Sequence, residues 1–320
     1  MIKAVISGIG SYLPKNVLTN NDLEKIVDTN DEWITTRTGI KQRHIIDADM
    51  LTSDLASEAS KKALEDAKLS ADKIDCIIVA TTTPDYTFPA TAVKVQANIG
   101  ASNAFAFDVQ AVCAGFIYAL HIAKNFIENN QAKNVLVIGA EAMTKILDWK
   151  DRTTCVLFGD GAGAIILSAE ENSSRGILAS KLHSDGNYID ILRTSGGIGV
   201  NNGEKSLLLM KGGEVFKHAV EKMHEVIEGI LEELGQKSEN IDIFIPHQAN
   251  VRILSSVAKK LTLEENKVVI TLDKHANTSA ASIPLALSEA YNQKRIKKGD
   301  KIMLAAIGGG LAWGAAYLVF

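Results

Sequence analysis

Cys113 stands where a nucleophile would be useful. It lies in the stretch DVQAVCAGF, directly before residues that are apolar at helical spacing to about Asn130 and leave only a narrow polar stripe. This pattern predicts a mostly buried helix that begins at Cys113. Free N–H groups and the positive dipole end at a helix start lower the pKa of a thiol and can bind an oxyanion. We therefore expect Cys113 to be a reactive thiolate.

The other two cysteines have a plainer interpretation. Cys76 and Cys155 lie inside the short apolar segments IDCIIVA and CVLF, which we predict to be buried strands. Three cysteines far apart, with no CxxC pair, argue against a disulfide scaffold or a zinc site. This usage favours a protein of the reducing cytoplasm.

Two polar residues nearer the end of the chain complete a candidate catalytic set. His247 follows the apolar run IDIFI in the motif IPHQAN, and Asn277 precedes a helix in DKHANTSAAS. A lone histidine is more often structural than catalytic, and an asparagine before a helix is usually an N-cap. With a cysteine at a helix start, however, they supply a nucleophile and two hydrogen-bond donors for a thioester oxygen or an enolate. We assign His275 to structure.

An internal duplication indicates how these residues could meet. A shift of 167 residues without gaps aligns residues 63–80 with 230–247 and pairs five residues with identical ones: Leu64, Glu65, Ile74, Asp75 and Ile78. The same shift aligns the helix after Cys113 with the helix after Asn277. Because short apolar strands alternate with helical stretches, we predict an α/β fold with buried sheets. We expect two similar halves, residues 1–170 and 171–320, that meet near the polar segment EENSSRG.

The duplication also predicts where the polar residues lie. In the 167-residue shift, His247 corresponds to Ala80 and Cys113 to Ala280, and Asn277 falls just before a helix that both halves share. Equivalent positions at strand ends and helix starts gather near the local twofold that relates two such halves. We therefore expect the three side chains to face one site.

Composition limits the classes of function. The chain has 320 residues, of which 46% are hydrophobic and 22% charged, with a formal net charge of −4 and a pI near 6.0. This charge gives no bulk attraction to nucleic acid. The first residues, MIKAVISGIGSYLP, are interrupted by glycine and predict a strand rather than a signal peptide. Nucleic-acid binding and export are therefore not indicated.

Two segments could suggest other functions. Residues 302–320 carry no charge and are nearly long enough to cross a bilayer, but glycines at 308–310 divide them. We predict two buried strands there and no membrane association. The glycine motif FGDGAGAIILSA is followed by a strand pattern rather than a helix. A dinucleotide site is therefore not expected.

The whole chain resembles the β-ketoacyl-acyl-carrier-protein synthase III family of the thiolase-like condensing enzymes. The similar motifs, in matching order and spacing, are GIGSYLP, TNDEWITTRTGI, ATTTPDYTFPA, CAGF, FGDGAGA, EVFK, PHQAN, HANTSAAS and GGGLAWGA. The resemblance implies a five-layered α-β-α-β-α thiolase fold, a homodimer, and the first condensation of type II fatty acid synthesis. It implies no cofactor, with acyl-CoA and malonyl-acyl carrier protein as substrates.

The resemblance assigns roles to particular residues. Cys113 would take the acyl group in a ping-pong mechanism, its carbonyl oxygen held by the backbone N–H groups of Cys113 and Gly309. His247 and Asn277 would stabilise the charge that decarboxylation of the malonyl thioester develops. Coenzyme A contacts carry over to six positions, among which two are expected to sandwich the adenine (Trp33 and Arg152) and four to line the remaining path (Thr29, Arg37, Gly212 and Asn250).

Carrier proteins are acidic, so the resemblance implies a basic docking surface. The expected contacts are Lys217, Gln248, Arg252, Lys259 and Lys260, of which the last three lie in NVRILSSVAKKL. By itself this helix pattern is that of a solvated charged face.

The acyl pocket departs from the commonest pattern of the family. Ile307 precedes the glycine run where many relatives have Phe, and Thr153 follows Arg152 where some have Gly. Phe88, expected to reach across the dimer, is retained. Acetyl-CoA is the default primer, and a reshaped pocket could admit longer or branched ones.

Two other functions compete with this one. A related starter condensing enzyme of secondary metabolism would use the same three residues on another acceptor, such as free malonyl-CoA or an aryl substrate. A non-catalytic acyl-CoA-binding protein would keep the fold without the chemistry. The intact Cys113, His247 and Asn277 argue against the second, because binding needs no nucleophile at a helix start.

Overall fold

The computed structural model describes residues 1–200 and 205–320 of the chain. In these residues the strands are β1 Ile2–Tyr12, β2 Asn16–Thr19, β3 Gln42–Ile45, β4 Cys76–Ala80, β5 Phe105–Val109, β6 Asn134–Ala142, β7 Asp160–Glu171, β8 Gly176–Ser184, β9 Leu192–Thr194, β10 Leu208–Met210, β11 Ile243–Pro246, β12 Lys301–Gly308 and β13 Ala312–Val319. The α-helices are α1 Asn20–Leu23, α2 Asp31–Thr38, α3 Thr52–Ala67, α4 Thr91–Ile99, α5 Gly115–Glu128, α6 Gly212–Glu233, α7 Val251–Lys260, α8 Leu272–His275 and α9 Ser282–Asn292.

Two mixed sheets carry most of the core. The first has the strand order β1-β7-β6-β4-β5, and the second has the order β11-β12-β13-β8. Strand β4 runs parallel to both β5 and β6, as β11 does to β12, whereas β7 and β13 return antiparallel. Strands β4 and β11 are apolar and buried along their whole length, as expected where helices cover both faces of a sheet.

The elements form five layers. Helices α3 and α4 pack on one face of the first sheet, α5 and α9 lie between the two sheets, and α6 and α7 cover the far face of the second. Along β12, alternate side chains enter different cores: Leu304 and Ala306 face the central helices, and Ala305 and Ile307 face α6 and α7. Helix α5 is mostly buried and leaves a narrow polar stripe of His121, Lys124, Asn125 and Glu128, as the pattern after Cys113 predicts.

The two central helices begin in the same way. A 3₁₀ turn, Val112–Ala114, leads into α5, and a second, Ser279–Ala281, leads into α9. Val112 and Ser279, 167 residues apart, both have a left-handed backbone, with φ of 49° and 48°. A β-branched residue and a serine rarely adopt this conformation, so its presence at equivalent positions is a specific likeness between the two segments.

Several predictions about elements are tested here. Residues 302–320 form β12 and β13, two buried antiparallel strands joined by glycines, as predicted. A strand, β7, does follow the first glycines of FGDGAGA. In the described residues, no helix is sufficiently long and apolar to traverse a bilayer.

The strand predicted for CVLF is wrong. Cys155, Val156 and Leu157 lie in turns, and only Phe158 forms a single bridge, to Asn277. The reason is Asp151, whose carbonyl accepts from Cys155 N and whose carboxylate accepts from Thr153 N. These local hydrogen bonds satisfy the backbone without a neighbouring strand. Cys155 is nevertheless fully buried, as is Cys76 in β4.

Candidate active site

Cys113, His247 and Asn277 line one cavity of about 500 Å³. Cys113 lies in the turn that leads from β5 of the first sheet into α5. His247 follows β11, the edge strand of the second sheet, and Asn277 lies between α8 and α9. The cavity extends from these residues past α6 and α7 to Trp33 on α2. The structure thus brings the three side chains to one space, as the duplication predicts, although each is more than nine-tenths buried.

Cys113 differs from expectation in its protonation. It sits in the 3₁₀ turn before α5, with Val112 in the left-handed region. Burial raises the pKa of the Cys113 thiol to about 12, and the nearby Glu141 carboxyl adds to the rise. The prediction of a resting thiolate is therefore wrong: loss of hydration outweighs the helix start. Cys113 is a thiol at neutral pH.

His247 is held as a neutral imidazole. Its backbone N–H donates to Ala305 O of β12 at 2.8 Å, which fixes the residue at the strand end. Its Nδ1 lies 2.6 Å from Ser282 Oγ, so that Nε2 remains for the cavity. Burial lowers the pKa of His247 to about 3. We assign Ser282 Oγ as the donor to Nδ1, because this oxygen already accepts from Gln248 N. With that assignment the neutral ring carries its proton on Nε2, which can donate a hydrogen bond.

Asn277 is oriented by the turn that follows it. Its backbone N–H donates to Leu157 O at 2.9 Å, and its carbonyl accepts from Gly159 N at 3.0 Å. Its side-chain Oδ1 accepts from Ser279 N at 2.9 Å. The amide nitrogen is therefore the end of the side chain left for the cavity, and it can only donate.

The glycine run after β12 packs closely on the nucleophile. A Cβ built on Gly308 would lie 2.5 Å from Cys113 N, so only glycine permits this approach. Gly309, expected in the oxyanion hole, is buried beside Leu192, and its side-chain position would meet Leu192 O at 2.6 Å. Its own atoms do not line the cavity.

The expected coenzyme A contacts converge in part. Trp33 and Arg37 line the cavity, and the Arg37 guanidinium lies 4.8 Å from the Trp33 ring centroid. Arg152 lies outside the lining but stacks on the same ring at 5.3 Å, while its Nη1 donates to Asp28 O. A ring inserted between two groups needs about 7 Å, because apolar contact distances are about 3.5 Å on each side. The expected sandwich therefore requires Arg152 to move away from Trp33.

Of the three other residues expected along the coenzyme A path, two line the cavity and one does not. Gly212 and Asn250 line the cavity, and Asn250 joins α7 to α2 by accepting from Arg252 N and donating to Arg37 O. Thr29 lies outside the lining, next to the carbonyl that Arg152 contacts, and its Oγ1 is buried without a hydrogen-bond partner.

The acyl-pocket candidates lie in different places. Thr153 and Ile307 line the cavity. Phe88 does not: its side chain is 83% exposed, outside the cavity of its own chain. Three more apolar residues near the turn of Cys113 line the cavity and escaped the sequence analysis, namely Met143, Leu192 and Leu208.

Four of the five residues expected to contact the carrier protein are exposed on two neighbouring helices. Lys217, Arg252, Lys259 and Lys260 are exposed on α6 and α7, which pack together, and Arg252 lies over Phe216 at the cavity. Gln248 is 1% exposed, and its side chain bonds to the backbone of Pro246, Val269 and Thr271. Gln248 therefore has no surface to offer a docked protein, and this assignment is wrong.

Two supporting residues were missed. Ser282 is one of two serines in HANTSAAS, and nothing in the sequence marks it as the partner of His247. Glu141 is a fully buried carboxyl at the end of β6, bonded to Thr82 and Thr83. An acidic residue inside the apolar strand NVLVIGAEA is a signal that could have been used.

His275 lies away from the cavity. It is buried, with Nε2 3.4 Å from Glu289 Oε2, which fits the structural assignment made from its position. In the part of the chain that the structure describes, no group of three or more His, Cys, Asp or Glu side chains is arranged to hold a metal ion.

Known sequences match this chain over nearly all of its length. The family described as 3-oxoacyl-[acyl-carrier-protein (ACP)] synthase III matches residues 107–186, and its C-terminal part matches residues 231–320. A β-ketoacyl-[acyl-carrier-protein] synthase III of Ehrlichia canis is 54% identical over 314 residues, 98% of each chain. One of Rhodospirillum centenum is 55% identical over 318 residues, again 98% of each chain.

Solved structures are similar to this chain in both sequence and fold. The 3-oxoacyl-[acyl-carrier-protein] synthase III of Aquifex aeolicus is 50% identical, with a TM-score of 0.94, and the alignment covers 99% of this chain and 100% of that one. The priming β-ketosynthase of the R1128 polyketide pathway has a TM-score of 0.95 at 32% identity, covering 99% and 96%. The fold is thiolase-like, and the higher identities favour fatty acid synthesis over secondary metabolism. The chain therefore belongs to the 3-oxoacyl-[acyl-carrier-protein] synthase III family of condensing acyltransferases.

Proposed function

We propose that the chain condenses a short acyl-CoA with malonyl-acyl carrier protein, through an acyl group on Cys113, to start type II fatty acid synthesis. The observation that carries the proposal is the single cavity that Cys113, His247 and Asn277 share and that runs to the surface at Trp33. Relatives more than half identical over nearly the whole chain carry the name of this activity.

In the first half-reaction, Cys113 Sγ bonds to the thioester carbon of the acyl-CoA and the bond from that carbon to the sulfur of coenzyme A breaks. The proton of the Cys113 thiol ends on that sulfur. The developing oxyanion would be held by the backbone N–H groups of Cys113 and Gly309. The close approach of Gly308 to Cys113 N supports this role for the glycine run.

In the second half-reaction, the malonyl thioester loses CO₂ and its oxygen takes up charge. His247 Nε2 and Asn277 Nδ2 are the two donors that the geometry leaves for this oxygen. Each such donor is worth about 10² to 10³ in rate. The carbanion then attacks the acyl carbon, the bond to Cys113 breaks, and the sulfur takes up a proton to regenerate the thiol. Because the substrates supply the carbanion, we propose that no cofactor takes part.

The adenine end of coenzyme A would bind at Trp33, with Arg37 and Arg152 as cationic neighbours. Both guanidiniums already lie within stacking distance of that ring. Gly212 and Asn250 would line the pantetheine path, with Thr29 beside the nucleotide end. Thr153 and Ile307 would shape the acyl pocket.

The acidic carrier protein would dock on α6 and α7. Arg252 lies at the cavity and Lys259 seven residues along α7, about 10 Å away at 1.5 Å per residue. Lys260 and, on α6, Lys217 extend this exposed basic surface. Complementary charge of this kind steers association and sets orientation.

We also propose a homodimer in which Phe88 enters the partner's site. Phe88 is 83% exposed, which is unusual for a large aromatic side chain without a partner surface. Strand β5 lies at an edge of the first sheet, with Phe105 46% exposed, so it leaves an unpaired edge.

The two-halves description, residues 1–170 and 171–320, is likewise a proposal. It is supported by the sheets, because the first is built from residues up to Glu171 and the second from Gly176 onward. The matching turns before α5 and α9 support it further. We infer a cytoplasmic location from the three cysteines, all of which are free thiols.

Intact-mass analysis after mixing with acetyl-CoA tests the chemistry. We expect one acetyl adduct, located on Cys113 and absent from Cys113→Ala, while Cys155→Ala retains it. A panel of acyl-CoAs then gives the primer range. No adduct with any short acyl-CoA would leave only a binding function. A preference for free malonyl-CoA over the malonyl carrier protein as acceptor would instead indicate a starter enzyme of secondary metabolism.

A further inference from the structure

Glu141 is a buried carboxyl without a cationic partner. It is fully buried at the end of β6, and no Lys, Arg or His in the described residues forms an ion pair with it. Burial raises its pKa, and hydrogen bonds from Thr83 and Thr82 oppose the rise. Burying a carboxyl costs free energy unless its oxygens accept hydrogen bonds. The groups that donate to Glu141 therefore indicate its role.

These contacts come from two separate parts of the chain. Oε2 accepts from Thr83 Oγ1 at 2.7 Å and from Thr82 N at 3.0 Å, both in the loop after β4. Oε1 accepts from Ala280 N at 3.4 Å, in the turn before α9. Gly139, two residues earlier on β6, allows this approach, because a Cβ there would lie 2.2 Å from Ala280 O. Glu141 thus ties the first sheet to the turn that follows Asn277.

The turn at Ala280 is the internal counterpart of the turn at Cys113. The 167-residue shift places Cys113 on Ala280 and Glu141 on Gly308, the residue that packs against Cys113 N. The Ala280 N–H is therefore equivalent to the Cys113 N–H that would hold the substrate oxyanion. In the second turn this N–H meets an oxygen that the protein itself provides, Glu141 Oε1.

The same turn orients Asn277. Ser279 N donates to Asn277 Oδ1 at 2.9 Å, which leaves the amide nitrogen for the cavity. Ser279 holds a left-handed φ of 48°, which is unfavourable for a residue with a side chain. Such a conformation persists only where neighbouring contacts enforce it. The hydrogen bond from the next residue, Ala280, to Glu141 is one of those contacts.

We propose that Glu141 is a positioning residue: by holding Ala280 N–H it keeps Ser279 left-handed and fixes the Asn277 carboxamide for the decarboxylation step. This inference rests on the proposed function. The two half-reactions should respond differently to loss of Glu141, because acyl transfer uses Cys113 and the glycine run, whereas decarboxylation uses Asn277 and His247. Loss of Glu141 should therefore slow the second half-reaction selectively.

The test measures both half-reactions in Glu141→Gln. Acylation of Cys113 by acetyl-CoA is followed by intact mass, and CO₂ release from malonyl-acyl carrier protein is followed on enzyme already acylated. We expect CO₂ release to fall about tenfold to 100-fold, because small misplacements of a catalytic group have effects of this size. Acylation should not fall, because Glu141 is one of the causes that raise the pKa of Cys113, and its replacement by Gln removes that cause. The matched control is Asp160→Asn, another fully buried carboxyl, whose side chain bonds Thr144 and Ile46 rather than Ala280. It should show no selective loss of CO₂ release.

Rescue provides a second readout. Glycine adopts a left-handed backbone without penalty. The double variant Ser279→Gly with Glu141→Gln should therefore release CO₂ at least threefold faster than Glu141→Gln alone. If Glu141→Gln does not fold, Glu141→Asp, which keeps the charge but withdraws the oxygens from Ala280, should show the same selective loss. Equal losses in both half-reactions, no loss, or no rescue would overturn the inference. Absence of acylation in the unaltered enzyme would instead overturn the proposed function.

Discussion

His247 and Ser282 are joined by a hydrogen bond of 2.6 Å between Nδ1 and Oγ. Ser282 Oγ also accepts from Gln248 N at 3.3 Å, so its own proton is free to point to the imidazole. With Ser282 assigned as the donor, the ring proton lies on Nε2, the nitrogen left for the cavity. The first residue of α9 therefore determines which nitrogen of His247 can donate.

Ser282→Ala should weaken His247 as a donor. Without the Ser282 hydroxyl, the tautomer with its proton on Nδ1 is no longer disfavoured, and in that tautomer Nε2 cannot donate. We expect CO₂ release from malonyl-acyl carrier protein to fall about tenfold, with acylation of Cys113 changed less than about threefold. Stopped-flow or quench measurements of the two half-reactions check this. Ser288→Ala, on the same helix but bonded to Ser11, is the matched control. Similar losses in both variants would show that Ser282 acts only through the stability of α9.

The pH dependence of Cys113 alkylation should be monotonic. Burial raises the pKa of this thiol to about 12, so below that pH the reactive thiolate is the minor form. The rate of modification by iodoacetamide should therefore increase about tenfold for each pH unit from 7 to 10 and reach no plateau there. Peptide mapping assigns the label, since Cys76 and Cys155 are also buried. A plateau near pH 7 would show that the helix start outweighs burial after all.

His247 should make the protein less stable as the pH falls. Burial lowers its pKa from 6.5 to about 3, so between these values the unfolded chain binds a proton that the folded chain does not. Stability then decreases with falling pH over this window, by up to about 1.36 kcal/mol per pH unit for this group. Urea titrations from pH 6.5 to 4.5 should show a shallower dependence in His247→Ala than in the unaltered protein. Equal slopes would contradict a neutral, buried His247.

The sequence predicts the site better than it predicts its chemistry. The constant shift and the helix pattern after Cys113 are strong signals, and they place Cys113, His247 and Asn277 on one cavity before any coordinates. They do not show how deeply a helix start is buried, and it is this desolvation that keeps Cys113 protonated. The local hydrogen bonds of Asp151, which replace the strand predicted for CVLF, are equally invisible in an apolar pattern.

Side-chain partners escape the sequence for a related reason. The resemblance assigned Gln248 to the carrier-protein surface, but its side-chain amide instead bonds the backbone of Pro246, Val269 and Thr271. Glu141 and Ser282 act on the active site through residues that lie more than 30 positions away in the chain. Because α9 packs between the two sheets, it brings Ser282 to His247 of the second sheet and the turn at Ala280 to Glu141 of the first.

The basic surface on α6 and α7 should control affinity for the carrier protein without affecting the chemistry. Lys259 and Lys260 are exposed and do not line the cavity, so their replacement leaves the catalytic residues in place. Lys259→Glu combined with Lys260→Glu should raise the KM for malonyl-acyl carrier protein about five- to tenfold, and added salt should reduce the difference, because exposed charges are screened. Steady-state kinetics at two ionic strengths check this, with the rate of Cys113 acylation by acetyl-CoA unchanged. The control is Lys61→Glu combined with Lys62→Glu, which makes the same change in net charge at two exposed lysines of α3 that do not line the cavity. An equal rise in KM for that variant would show an effect of net charge rather than a docking surface.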